Sequence, residues 1–353
     1  MSGGVDSSVA AALSVEQGYD VIGLMMRLWA EPGGEDGNRC CTPDAVDSAR
    51  WVANVLGIPF YLFNVETPFQ RHVVDYFVRE YSAGRTPNPC LMCNRHIRFD
   101  VLLRRALALD ARYLVTGHYV RLRQRDGRYR LLKGVDSRKD QSYVLYMLNQ
   151  DILRHVLFPL GDLTKEHVRR IARRYTLPVA DRPESQDLCF LADSDYRRFL
   201  RKVAPQAVRP GPIVNRDGHV LGQHQGLPFY TIGQRRGLGI PAPEALYVLE
   251  VDITRNALVV GTAAELGRTQ LTASSVSYVS GQVPSQPLHV TAKIRYKAKE
   301  MPALLTSLTR DRATLRFDAP LRDITPGQGV VFYQGQELLG GGIIENLAPR
   351  VEC

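Results

Sequence analysis

The chain opens on Met1-Ser2-Gly3-Gly4-Val5-Asp6-Ser7-Ser8 and runs directly into an Ala-rich helical stretch, Val9 to Leu13. Adjacent glycines let backbone N–H groups turn inward with no Cβ in the way. The helix that follows adds free N–H donors and a partial positive charge. Ser2, Ser7 and Ser8 supply hydroxyls, and Asp6 can cap the turn or hold a metal bound to phosphate. The string therefore reads as an anion cradle between a strand and a helix. It lacks the Gly-Lys-Ser/Thr ending of a Walker loop. In a doubly wound sheet such a loop follows a buried parallel strand. Only Met1 precedes Ser2, so the first strand is expected to be missing. Extension upstream is then expected to improve solubility and activity, and no change would reject that expectation.

The pattern downstream alternates strands and helices. Val21–Met26, Phe60–Val65 and Tyr113–Thr116 are short apolar runs, and Asp44–Leu56 has helical spacing with Gly57 as its stop. Ile97–Leu109 is a further helix. This predicts a parallel sheet with helices on both faces, its ligands at the carboxyl ends of the strands. The loop, Met26 and Gly117-His118 share that edge. Pro205, Pro210, Gly211 and Pro212 mark a boundary, after which strands are short and helical periodicity fades. The expected division is an α/β domain over 1–203, a small β-rich domain over 204–268 and a β-barrel over 269–353. Barrel strands are expected at Leu288–Ile294, Ala313–Phe317 and Gly329–Tyr333, and Gly340-Gly341-Gly342 as a tight turn or bulge.

The 353 residues carry 45 Lys+Arg against 36 Asp+Glu, a formal +9, with arginines often paired, as at Arg104-Arg105 and Arg235-Arg236. Such an excess suits a nucleic-acid partner as well as a plain solvated surface. No run approaches a membrane span and no signal peptide is visible, so a cytoplasmic location is expected. Six cysteines, Cys40, Cys41, Cys90, Cys93, Cys189 and Cys353, in a cytosolic chain of this size point away from a disulfide framework and, for a subset, to chemistry or metal binding. Cys40, Cys41 and Cys353 read as packing residues.

Cys93 follows a loop stiffened by Pro87 and Pro89 and sits near a helix start beside Arg95, His96 and Arg98. Such surroundings lower a thiol pKa from about 8.5 to roughly 4–7. Cys189, in Ser185-Gln186-Asp187-Leu188-Cys189-Phe190, is divided evenly between packing and function when taken alone. Lys293, Arg295, Lys297 and Lys299 alternate with Ile294, Tyr296 and Ala298. Read as a strand, this puts four cations on one face to track a phosphate backbone.

The opening loop resembles the PP-loop of the ATP pyrophosphatases. Taken in order with Thr86-Pro87-Asn88-Pro89 before Cys93-Asn94, Thr116-Gly117-His118-Tyr119, Lys139-Asp140-Gln141-Ser142-Tyr143 and Ser185-Gln186-Asp187 before Cys189-Phe190, the chain resembles the tRNA-specific 2-thiouridylases over nearly its whole length. The resemblance implies ATP and Mg2+, and adenylation of the C2 oxygen of uridine 34 in tRNAs of the Lys, Glu and Gln type. It also implies a Cys189 persulfide charged by a relay such as a cysteine desulfurase, and Cys93 as the second nucleophile, leaving a Cys93–Cys189 disulfide. Met1, Ser2, Gly3, Gly4, Val5, Asp6, Ser7, Met26 and Gly117 would meet the nucleotide. Asn88, Pro89 and Cys90 would border the base; His118, Lys139, Asp140, Gln141, Arg295, Tyr296 and Gln328 would meet tRNA.

Many members of that family have aspartate where this chain has Cys90. Cys90-x-x-Cys93 with Cys189 opens a rival route, a [4Fe–4S] cluster that delivers sulfur. Two other readings keep fewer of the motifs: a ligase that adenylates a small metabolite, and a non-catalytic RNA-binding sulfur carrier.

Overall fold

The structure, a computed structural model, describes residues 1–31, 42–182, 188–193, 195–306 and 308–345. Cys40, Cys41, Cys353 and Ser185-Gln186-Asp187 lie outside the described residues. In chain order the strands of the first part are β1 (Gly23–Arg27), β2 (Phe60–Asn64), β3 (Leu114–Val115), β4 (Val120–Arg125), β5 (Arg128–Lys133) and β6 (Val156–Leu157). Four more follow: β7 (Gly211–Val214), β8 (Val220–His224), β9 (Tyr247–Asp252) and β10 (Ala257–Gly261). The last are β11 (Arg268–Tyr278), β12 (Leu288–Lys293), β13 (Met301–Thr306), β14 (Ala313–Leu321), β15 (Gly329–Gln334) and β16 (Glu337–Ile344).

The opening helix, Val5–Glu16, buries Val5, Val9 and Ala10 against Val168 and Ala172 of the helix Lys165–Arg174. The helix Pro43–Leu56 is capped by Thr42, whose hydroxyl accepts from the Ala45 N–H. It stops at Gly57 in the left-handed region, as glycine's missing Cβ permits. Among the described residues the parallel sheet takes the form of two pairs, β1–β2 and β3–β6. Met1 lies between them. Its amine donates to the Leu24 carbonyl, and its side chain packs on both the Met25 and the Val9 clusters.

Where the sequence alternates after Tyr119, the chain forms the hairpin β4–β5 around Asp126-Gly127, both with positive φ. This hairpin leaves the α/β part and pairs with β16, Leu131 opposite Leu338. The middle sheet runs β8-β7-β10-β9. Beyond it, β11-β14-β13-β12-β15-β16 closes on itself through the β11–β16 pair into a six-stranded barrel. Its interior holds Leu271, Leu305, Leu315, Phe317 and Phe332.

Two expectations do not hold in full. Gly340-Gly341-Gly342 is no turn: all three lie inside β16. A Cβ on Gly340 would stand 2.2 Å from the Ser277 carbonyl, and one on Gly341 2.7 Å from the Tyr146 ring. The glycines thus let the closing strand touch its neighbours, and the bulge half of the expectation holds: the register shifts at Leu339, beside Gly340, against β15, and on β11 opposite Gly342. Gly340→Ala should therefore cost about 1–3 kcal/mol, read as a lower urea midpoint at unchanged slope. The second correction concerns the cationic stripe. β12 ends at Lys293, and Arg295–Ala298 is a turn closed by Ala298 N–H on the Arg295 carbonyl at 3.1 Å. Arg295 turns inward, donating to the Ile232 carbonyl and to Thr325 Oγ1, so the four cations share no strand face.

Candidate active site

The loop Ser2–Asp6 takes its shape from two close contacts. Gly3 has φ +70°, and a Cβ there would lie 2.6 Å from the Ala45 carbonyl. Gly117, from the end of β3, comes so near that its Cβ would lie 2.7 Å from the Asp6 carbonyl carbon. Gly4 is the N-cap residue of the opening helix, and its carbonyl accepts from Ser7 and Ser8 Oγ at 3.1 and 2.9 Å. Ser2 N–H donates to Ser7 Oγ at 3.1 Å. Val5 is buried beneath the loop, and Met26 is half-buried near the carboxyl end of β1.

Two cations that the sequence did not single out converge on this loop. Lys165 Nζ donates to both Asp6 carboxylate oxygens at 2.7 and 2.8 Å, and Tyr119 OH donates to the same carboxylate at 2.7 Å. Arg182 Nη1 donates to the Gly3 carbonyl at 2.9 Å. A tight loop at a helix start, with hydroxyls and two cations, fits a polyphosphate.

Cys93 opens a π-helical stretch, Cys93–Leu102, that continues the turn Pro89–Met92. Asn88 caps that turn, its Oδ1 accepting from the Cys90 N–H at 3.1 Å. In an i→i+5 helix, residues five apart stand one above the other, which sets Arg98 near the Cys93 column. Arg98 Nη1 in turn lies 3.4 Å from His118 Nε2. Because guanidinium only donates, Nε2 accepts and the ring proton sits on Nδ1, facing Thr116 Oγ1 at 2.8 Å. The helix that carries the thiol is thereby joined to the segment that abuts the nucleotide loop.

Burial, then the Arg98 charge, holds His118 well below the usual imidazole range. Burial likewise lowers His96 and His224. Each unfolded imidazole takes up its proton near pH 6.5 while the folded one resists, so acid favours unfolding. These histidines should make stability fall below about pH 6.5, by up to about 1.4 kcal/mol per pH unit for each. Urea midpoints measured from pH 8 to 5 test this, and a level profile would count against it.

The loop before Cys93 is clamped from two sides. Thr86 N–H donates to the Pro326 carbonyl at 2.9 Å, and Gln328 Nε2 donates to the Thr86 carbonyl at 2.9 Å, both from the barrel. Thr86 Oγ1 meets Thr231 Oγ1 of the middle part at 3.0 Å. Tyr296 packs edge-on against Tyr143, whose OH donates to the Gly329 carbonyl at 2.9 Å. Cys189 is half-buried in the same apolar cluster as Cys93. Its neighbour Phe190 is fixed by Phe69, Phe77 and Phe199, ring centres 5.3–6.2 Å away.

Several residues assigned to tRNA from the sequence have internal partners. Asp140 is buried and accepts from Gly134 N–H, Ser142 N–H and Ser142 Oγ. Gln141 Oε1 accepts from Tyr119 N–H at 3.0 Å, steadying the segment that follows His118. Lys139 is half-buried, Pro89 is buried and Cys90 is exposed. Among the described residues no three thiols, imidazoles or carboxylates are grouped to hold a metal ion. Cys90, Cys93 and Cys189 are not grouped as the ligand set that the cluster route requires.

Residues 1–193 match the family model "tRNA methyl transferase HUP domain", 197–262 the "tRNA methyl transferase PRC-barrel domain" and 268–344 the "Aminomethyltransferase beta-barrel domain". The tRNA-specific 2-thiouridylase MnmA of Carboxydothermus hydrogenoformans is 50% identical over 350 residues, 98% of this chain and 96% of that protein. The namesake from Moorella thermoacetica is 51% identical over 355 residues, 99% of each. Half of all residues are thus shared, from the nucleotide loop through the thiol helix to the closing strand of the barrel, and the chain belongs to the tRNA-specific 2-thiouridylase family.

Proposed function

We propose that this protein is a sulfurtransferase that uses ATP to replace the C2 oxygen of a tRNA uridine, position 34, with sulfur. One observation carries the reading. A single helix bears Cys93, reaches the nucleotide-loop side through Arg98 and His118, and is preceded by a loop that the barrel and the middle part both grip. A thiol, the loop read as binding ATP and the joint between domains are thus linked through hydrogen bonds. Its outer domains would seat a large substrate, with divisions near 203 and 268.

In this reading the uridine O2 attacks the α-phosphorus of ATP. Pyrophosphate leaves against the helix start, Lys165 and Arg182. Asp6 is the carboxylate that would hold Mg2+, which neutralises charge on the departing phosphates. A carbonyl oxygen is a poor leaving group, whereas AMP is a good one. The terminal sulfur of a Cys189 persulfide attacks C2 and AMP departs with the former oxygen. The Cys93 thiolate then attacks the Cys189 sulfur, breaking the S–S bond and leaving sulfur on the base. The two cysteines end as a disulfide that an external thiol reopens. A sulfur relay such as a cysteine desulfurase would recharge Cys189. No helix among the described residues is long and apolar enough to cross a membrane, and we place the reaction in the cytoplasm.

Purified protein with ATP, a persulfide donor and unmodified tRNA transcripts of the Lys, Glu or Gln type tests the reading. Pyrophosphate release that requires tRNA, with 2-thiouridine in the digested RNA, is expected. Release without tRNA would point to a small-molecule ligase, and no release to a carrier.

A further inference from the structure

The Cys93 helix reaches a second place. While Arg98 meets His118, Arg95 Nη2 donates to the Ser275 carbonyl of the barrel at 3.3 Å. Ser275 sits at the β11 bulge with φ 51°, a left-handed conformation that a serine seldom takes. Between this bulge, the helical stretch from Arg71 to Glu80 and the Cys93 helix lies a cleft of about 890 Å³. That volume is within the range of small-molecule sites.

The walls have two distinct characters. One is cationic. Arg85 and Arg312 are already neutralised by Glu80 and Glu345, at 2.7 Å each. Arg79 shares Glu80 at 3.8 Å, and Arg71 and Arg95 remain against Asp75. The other is flat. The His72 and His96 rings stack 4.6 Å apart at 17°. Beside them Arg79 covers the Tyr76 ring at 5.5 Å. Burial, then His72 and Arg95, holds His96 below the usual imidazole range, which favours the neutral ring.

Flat rings beside guanidinium groups match an unstacked base and its phosphate. An acidic peptide would use the cations and leave the rings idle. Met92, in the cleft wall, directly precedes Cys93, so one turn of helix carries both the cleft wall and the thiol. We propose that this cleft takes an unstacked nucleotide of the bound tRNA next to the target uridine, its base on the His72–His96 face and its phosphate against Arg71 and Arg95. The assignment rests on the tRNA reading above and adds a subsite to it.

The test uses the full-length protein and a tRNA transcript carrying 2-aminopurine on either side of the target. Binding to the wild-type protein should change the fluorescence of one label. His72→Ala should abolish that change and weaken binding about tenfold, and His72→Phe should restore both. Arg71→Gln should lower the salt slope of log Kd by about 0.7. Arg71 is exposed, so this variant carries the test should His72→Ala not fold. If the wild-type protein makes 2-thiouridine but both variants bind like it, the cleft assignment falls alone. If free AMP or UMP competes for the cleft at micromolar concentration, it is a mononucleotide site and the assignment also falls. If the wild-type protein neither binds nor modifies tRNA, the functional reading falls first.

Discussion

Cys189→Ser should lose 2-thiouridine formation by at least about a thousandfold, the scale on which enzymes lose a covalent nucleophile. Pyrophosphate release in the presence of tRNA should persist. In the proposed reaction the adenylating half lies at the opening loop, where Lys165 holds Asp6 and Arg182 holds the Gly3 carbonyl, and Cys189 contributes no bond to it. Cys189 packs instead, as Cys93 does, against the large apolar core that includes Phe190. Serine keeps the volume and removes the sulfur, so the fold should be unaffected. Cys93→Ser should block product equally but trap tRNA on Cys189 through a disulfide to C2, detectable as a covalent protein–tRNA adduct that reductant releases. An equal loss of pyrophosphate release in both variants would mean that the thiols act before adenylation, the reverse of the proposed order.

The second large effect should come from Lys165→Ala, which should slow tRNA-dependent pyrophosphate release about 10²–10³-fold, as removal of one preorganised charge donor does. Lys165 is largely buried and holds Asp6 from two sides of the carboxylate. In the proposed reaction an entering polyphosphate would offer the ammonium a stronger anion and leave Asp6 to a cation. The loss should fall on kcat more than on KM for ATP, because charge on the bridging oxygen grows only as the phosphorus bond breaks. Lys165→Arg should recover part of the rate. A variant with normal kcat and a raised KM would reduce Lys165 to a binding residue.

How much of the fold and site is legible in the sequence depends on whether the deciding contacts are local. The helix Pro43–Leu56 and its stop at Gly57 are readable because spacing and glycine conformation are properties of neighbours. So are the nucleotide loop and the barrel strands. The hairpin Val120–Lys133 carries a readable signal, Asp126-Gly127 between alternating residues, that a strand–helix alternation overlooks. Its pairing with β16 is not readable, since Leu131 and Leu338 are joined only by the fold. The same holds for Lys165, whose partner Asp6 is 159 residues away. The alternation from Lys293 to Lys299 is real, but burying Arg295 against Ile232 and Thr325 outweighs strand propensity. Gly340–Gly342 misleads because turns and close strand crossings ask for glycine for the same steric reason.

The central claim is that Cys93 and Cys189 meet during turnover. Single-turnover reaction of persulfide-charged enzyme with tRNA and ATP, quenched in acid and mapped by mass spectrometry without reductant, tests it most directly. A peptide joining Cys93 to Cys189, in step with one 2-thiouridine per enzyme, is the predicted result. Thiolated tRNA formed while both cysteines remain thiols would contradict it.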